Sequence, residues 1–204
     1  MEEFGTFLAG MFGSRAVEIT AAVLGFVNVV LIIRRTIWNY PFGIAMVILY
    51  GWIFWDYRLY AEAGLQVYFL IIQIVGWYWW LQGRGGDGLV IVERAPGAEL
   101  AACALAVAAV TGGLGWALAT HTDASLPYSD AAVAALSVVA QYLLARRRLE
   151  SWPVWIAVDV LAIGIYIVKG LYPTAVLYAL FLCLATTGLV VWARAWKRGD
   201  AVRA

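Results

Sequence analysis

The sequence predicts an all-α membrane protein: seven transmembrane helices in a 3+1+3 arrangement, two parallel three-helix repeats joined by one helix. Composition is the first ground. Of 204 residues, 64% are hydrophobic and only 13% charged, where a soluble domain has roughly 45–50% and about 25%. With a mean hydropathy of +0.83, the apolar excess has to face lipid. Seven apolar stretches, each near the roughly 20 helical residues that cross a core of about 30 Å, are the second ground. The third is that the chain aligns with itself.

Phe4, Phe7, Leu8, Met11 and Phe12 are spaced as one helical stripe, which predicts an interfacial amphipathic segment over 1–14. Spans follow at 16–33, 38–55, 59–81, 98–119, 129–146, 152–169 and 172–193, then a tail at 194–204. Pro41, Pro96, Pro127, Pro153 and Pro173 all fall near a span's start, where a missing N–H costs nothing. The start Met1-Glu2-Glu3 is acidic, unlike a cleavable signal, so the first span itself is expected to drive insertion.

Lys and Arg set the orientation. Arg15, Arg58 and Lys169 fall on the N-terminal side of the membrane; the other eleven basic residues fall on the opposite side. By the positive-inside rule the N-terminus is outside and the C-terminus inside. An odd number of spans preserves that split.

Residues 57–80 and 169–192 match at a constant offset of 112, with eight identities that include Leu59/Leu171, Tyr60/Tyr172, Gly76/Gly188 and Trp80/Trp192. Upstream, Arg34/Arg148 and Trp38/Trp152 coincide at 114, which predicts a two-residue loop difference. The chain parses as a first repeat (16–81), a linker helix (98–119) rich in Ala and Gly, and a second repeat (129–193). The odd helix returns the chain across the membrane, so both triplets run the same way. Parallel repeats of this kind belong to transporters, with a binding site expected at the repeat interface near the midplane.

Other classes lose ground on composition. A net charge of +1 offers no basic face for nucleic acid. Cys103 and Cys183 lie in apolar runs and His121 in a polar loop, which leaves no metal cluster, no haem pair and no groups for membrane-embedded hydrolysis. No lysine lies in the last span for a retinal Schiff base. No phosphate-binding glycine loop points to ATP, and no cofactor is expected.

The informative residues are polar ones at depth. Asp159 is the one acidic residue near a span centre, where a charge costs about 2.5–3.5 kcal/mol on insertion scales. It shares a helix face with Trp152, Trp155 and Tyr166, and no basic residue lies mid-span to answer it. On the third span Gln66, Gln73, Trp77 and Trp80 share a face; Asn28, Asn39 and Gln141 add amides, and Tyr178 lies on the last span. Buried amides also bond neighbouring helices, for roughly 0.6 kcal/mol on average, and tryptophans at span ends form an aromatic belt. Trp38, Trp116, Trp192 and Trp196 read as belt. Together the carboxylate, amides and indoles describe a site for a planar, hydrogen-bonding, cationic solute. The candidate substrate-binding set is Asn28, Asn39, Gln73, Trp77, Trp80, Gln141, Trp152, Trp155, Asp159 and Tyr178.

The runs Asn39-Tyr-Pro-Phe-Gly43, Leu59-Tyr60 leading to Gln73 and Gly76-Trp-Tyr-Trp-Trp80, and Trp152-x-x-Trp155-x-x-x-Asp159 resemble the Pnu vitamin transporters over roughly 16–196. The resemblance is closest to the members that carry nicotinamide riboside. It implies a full-length relative of the SWEET sugar transporters in the bacterial inner membrane, trimeric, facilitating uptake of a vitamin that a cytoplasmic kinase then phosphorylates. Trp77 and Trp80 match the family's WxxW element, with Gln73 one turn before. Trp52/Trp55 and Trp152/Trp155 share that spacing, so spacing does not choose among them. Nicotinamide riboside is a permanent cation suited to Asp159, and so is thiamine, the alternative within the family. Mechanistically the reading predicts facilitated diffusion by rocking of the two triplets.

Overall fold

The computed structural model describes residues 15–58 and 60–203, helical apart from short connections. The interfacial segment expected over 1–14 lies outside the described residues. The helices are α1 (Arg15–Ile33), α2 (Asn39–Asp56), α3 (Tyr60–Gln82), α4 (Gly97–His121), α5 (Pro127–Ala145), α6 (Ser151–Val168) and α7 (Tyr172–Arg203). They form two compact units, Met1–Val90 and Ile91–Ala204. In the first unit α2 packs on both α1 and α3. In the second, α4 packs on α5, α5 on α6 and α6 on α7. A Cβ at Gly115 of α4 would strike the Tyr128 ring of α5, so glycine is what lets these two helices close. His121 is the last residue of α4 rather than part of a loop.

Each helix of the first unit has a counterpart 112 residues on. Arg15 and Pro127, Ile33 and Ala145, Asn39 and Ser151, Asp56 and Val168, and Tyr60 and Tyr172 open or close the matching helices. The turns repeat as well. After α1, Arg35 and Thr36 donate their N–H groups to Ile32 and Leu31; after α5, Arg147 and Arg148 donate to Leu144 and Leu143. Arg35 and Arg147 take φ of 58° and 61°, and Arg58 and Gly170, after α2 and α6, take 61° and 70°. These left-handed residues bond the last carbonyls of each helix and reverse the chain, which lipid surroundings make obligatory.

That register corrects the two-residue loop difference expected upstream. Clustered arginines match at both 112 and 114, but the capping hydrogen bonds pair Arg35 with Arg147 and set Tyr40, not Trp38, opposite Trp152.

Among the described helices, five are long and apolar enough to cross a membrane: Ala63–Gln82, Gly97–His121, Pro127–Ala145, Ser151–Val168 and Tyr172–Gly199. In α1 the described residues hold a shorter apolar stretch, Ile19–Ile33; α2 opens on Asn39 and closes on Asp56, polar ends that lower its hydropathy. Large apolar residues face outward along the helices, among them Leu105 of α4 and Val176 of α7.

An ion network closes one end of the second unit. Arg148, buried, donates to Glu93 Oε2 at 2.7 Å and to the Arg94 carbonyl at 3.1 Å, and its other amino nitrogen lies 3.0 Å from Glu99. Glu93 exchanges backbone hydrogen bonds with Arg147 and Leu149, and Glu150 accepts from Arg94 and from the Ala95 N–H. The N-terminus of α4 is thereby tied to the α5–α6 turn. In the first unit, Val90 docks on the equivalent turn: its N–H donates to the Arg35 carbonyl at 3.0 Å, and the Arg35 guanidinium answers to the Val90 carbonyl at 3.2 Å.

Arg148→Met leaves two glutamates without their shared partner. The expected loss lies toward the low end of the about 3–5 kcal/mol typical of a broken buried pair, because Glu93 is 36% exposed. Thermal unfolding in detergent reads it as a fall of several degrees; an unchanged midpoint would show that the network holds nothing.

Candidate functional site

In the first unit the site is built on the start of α2. Asn39 donates from its side chain to the Thr36 carbonyl at 2.7 Å, fixing the entry turn. Asn28 of α1 donates its Nδ2 to the Asn39 carbonyl at 3.0 Å, tying α1 to that turn. Both residues are buried, and both amides are thus partly committed to structure. One turn further along α2, a Cβ on Gly43 would run into Asn28 Nδ2 and the Gln73 carboxamide. The two amides therefore meet over a bare backbone. Gln73, 5% exposed, makes no hydrogen bond among the described residues.

Aromatic rings stand beside the amides. The Tyr40 ring stacks on Trp77 at 6.1 Å with planes 6° apart, and meets Trp80 edge-on at 5.4 Å and 89°. Trp80 is fully buried. Trp77 Nε1 is buried too, yet finds no acceptor among the described residues. An unsatisfied buried donor costs about 1–3 kcal/mol. Gln73 and Trp77, one helical turn apart, are groups left open to a ligand among the described residues of this unit.

In the second unit the register repeats with different chemistry. Trp152 stands where Tyr40 does and meets Trp192 edge-on at 5.5 Å and 83°, with Gly188 directly beneath its ring. Trp192, expected in the lipid belt, is fully buried, because it is the counterpart of Trp80 in this aromatic pair. Trp38 and Trp116, at 65% and 59% exposed, do lie outward. Trp152 Nε1 and Ser151 Oγ are buried without hydrogen-bond partners among the described residues.

Asp159 is 4% exposed and makes no ion pair or hydrogen bond among the described residues. Trp155, half-buried, precedes it by one turn on the same face. Gln141 is half-buried on α5. Tyr178, half-buried on α7, packs on Tyr166 at 5.2 Å and on Phe181 at 6.1 Å.

The structure thus gathers Asn28, Asn39, Gln73, Trp77 and Trp80 in one unit. In the other it holds Trp152, Trp155 and Asp159 on α6, Gln141 on α5 and Tyr178 on α7. Two residues of the first cluster carried no role in the sequence reading: Tyr40, which holds both indoles, and Gly43. A register of 112 extended past the turn would have exposed Tyr40 as the partner of Trp152, because the adjacent prolines, Pro41 and Pro153, also align.

Long apolar helices, a repeated three-helix scaffold and buried polar groups without partners define a membrane transporter, multi-pass and not an enzyme. The chain belongs to the nicotinamide mononucleotide transporter family, whose model matches residues 15–194. It is 26% identical over 209 residues to the nicotinamide riboside transporter PnuC of Escherichia coli (strain K12), covering 90% of this chain and 87% of that one. It is 30% identical to PnuC of Neisseria mucosa, covering 87% and 72%. It is also 28% identical to the riboflavin/roseoflavin transporter RibM of Streptomyces davaonensis, covering 89% and 84%. The crystal structure of the vitamin B3 transporter PnuC is similar at a TM-score of 0.73 and 26% identity, over 94% of this chain and 86% of that one.

Trp192→Ala should cost about 3–5 kcal/mol, as the loss of a buried aromatic does, whereas Trp38→Ala should leave stability nearly unchanged. Paired unfolding curves in one detergent test the contrast; equal effects would show that the edge-on pair does not support the fold.

Proposed function

We propose that the chain facilitates uptake of nicotinamide riboside across the bacterial inner membrane, down its gradient, with the product trapped by phosphorylation in the cytoplasm. The observation that carries this reading is Asp159: a buried carboxyl group with no protein partner among the described residues. Its natural complement is a permanent cation, and a pyridinium ring also suits indole faces. In the first unit, Gln73 carries a donor and an acceptor that a carboxamide would match, and Trp77 Nε1 carries a further donor. Asn28 and Asn39 hold the cluster in place, Trp155 stands beside Asp159, and Trp80, Trp152, Gln141 and Tyr178 complete the proposed set.

The relatives named for nicotinamide riboside support this choice, while the riboflavin relative shows that substrate varies on this scaffold. Thiamine, also cationic, is the second reading favoured by Asp159. In the membrane we propose seven spans in a 3+1+3 arrangement, with the N-terminus outside, the C-terminus inside and a trimeric assembly. The eleven basic residues on one side support that orientation.

Thermal-shift titration of the purified protein against nicotinamide riboside, thiamine, riboflavin and a deoxynucleoside tests the substrate. Nicotinamide riboside is expected to bind tightest. Asp159→Asn should weaken uptake of either cation by about 10- to 100-fold, the scale of a hydrogen bond to a charged group, and spare a neutral nucleoside. Equal losses for all would make Asp159 structural. Uptake into liposomes should proceed without a proton or sodium gradient; dependence on either would overturn facilitated diffusion.

A further inference from the structure

Gly43 has an ordinary helical backbone, so its lack of a side chain answers a steric need and not a conformational one. A methyl group there would overlap Asn28 Nδ2 and Gln73 Oε1 and come within 2.8 Å of Gln73 Nε2. The polar ends of two side chains, one from α1 and one from α3, therefore occupy the volume that any other residue at 43 would fill. Asn28 cannot withdraw without losing its bond to the Asn39 carbonyl. Gln73 has no such tether, so it is the group that would move.

The repeat shows that the scaffold does not itself require glycine here. One register on, position 43 becomes Trp155, Asn28 becomes Ala140 and Gln73 becomes Ala185. The helix bounds around these positions are the same, and Ala140 and Ala185 are buried as Asn28 and Gln73 are. The three positions carry a glycine with two carboxamides in the first unit, and a half-buried indole with two buried alanines in the second.

We propose that Gly43 is a positioning residue. By leaving its volume empty it seats the Gln73 carboxamide against Asn28, and so sets selection for a solute whose ring edge presents a donor beside an acceptor. A primary carboxamide or a cyclic imide fits that description. A carboxylate in the same place does not, since it only accepts hydrogen bonds. The ligand clause rests on the substrate reading above; the positioning clause does not.

The test uses the full chain in nanodiscs, with two readouts. Binding of nicotinamide riboside and of nicotinic acid riboside, its carboxylate counterpart, is measured for the wild type, Gly43→Ala and Gly43→Ala/Asn28→Ala. Wild type is expected to prefer the carboxamide. Gly43→Ala should lose at least about tenfold in affinity for it and less than about threefold for the acid, compressing the ratio, and the double variant should recover part of that ratio by giving the methyl group room. Parallel losses for both ligands, or none, would overturn the selectivity role.

The second readout needs no ligand: side-chain amide signals of protein labelled on glutamine. The Gln73 signals should shift in Gly43→Ala while those of Gln141 stay. Unmoved Gln73 signals would overturn the positioning role whatever binds. If wild type binds neither ribonucleoside, the nicotinamide riboside reading and the carboxamide clause fall together, and the Gln73 signals still decide the positioning role.

Discussion

The edge-on aromatic pair sets the geometry on which the rest of each unit depends. Tyr40 against Trp80 fixes the start of α2 on the end of α3; Trp152 against Trp192 does the same for α6 and α7. Within lipid, helices gain little from burying apolar surface against one another, so close packing and polar contacts have to hold them. A fully buried indole meeting a ring at about 90° supplies such packing, and edge-to-face geometry adds about 0.5–1.5 kcal/mol beyond area. Gly188 is the cost of that arrangement, since Trp152 lies where its side chain would be. The left-handed residues at the turns then deliver α2 and α6 to the pair at the correct height.

The repeated framework separates support from chemistry. Residues that hold the helices recur 112 positions apart: the edge-on rings, the prolines beside them, the capping turns, and the buried alanines Ala63 and Ala175. Most polar residues at depth do not recur. Asn28 and Gln73 answer to Ala140 and Ala185, and Asp159 answers to Val47, which is as buried as the carboxyl group is, whereas Asn39 answers to another buried polar residue, Ser151. A buried Val and a buried Asp at one position of the same framework show that packing does not call for the acid. Polar groups retained on only one side of such a repeat are explained by what they touch, and neither Gln73 nor Asp159 touches a polar protein partner among the described residues.

Much of this was legible in the chain. Helix bounds follow from hydropathy, and the prolines mark the starts, because both signals are local: Pro127 opens α5, and Pro41 and Pro153 sit in the first turns of α2 and α6. Candidate residues at depth were legible for the same reason, since a lone Asp in an apolar run is costly wherever it lies. What stayed hidden depends on contacts between helices. Trp192 near a span end looks like a belt residue until Trp152 is seen against it. Gly43 looks like any glycine in a membrane helix until the amides of Asn28 and Gln73 are seen to claim its volume. The offset of 114 rests on matching residue names, Arg34/Arg148 and Trp38/Trp152, whereas the backbone hydrogen bonds after α1 and α5 set the register at 112.

The unsatisfied groups also bear on how such a molecule cycles. A buried indole N–H without a partner among the described residues, as at Trp77, raises the free energy of the empty protein by an amount on the order of 1–3 kcal/mol. A solute that supplies a missing partner relieves that cost in proportion to how well it matches, so discrimination is steepest against a near-isostere that leaves a group unpaired. Water that reaches such a group relieves the same cost. Under the proposed function net uptake also requires the empty protein to return, so water has to reach these groups in that step, and the gradient alone then decides the direction of net movement.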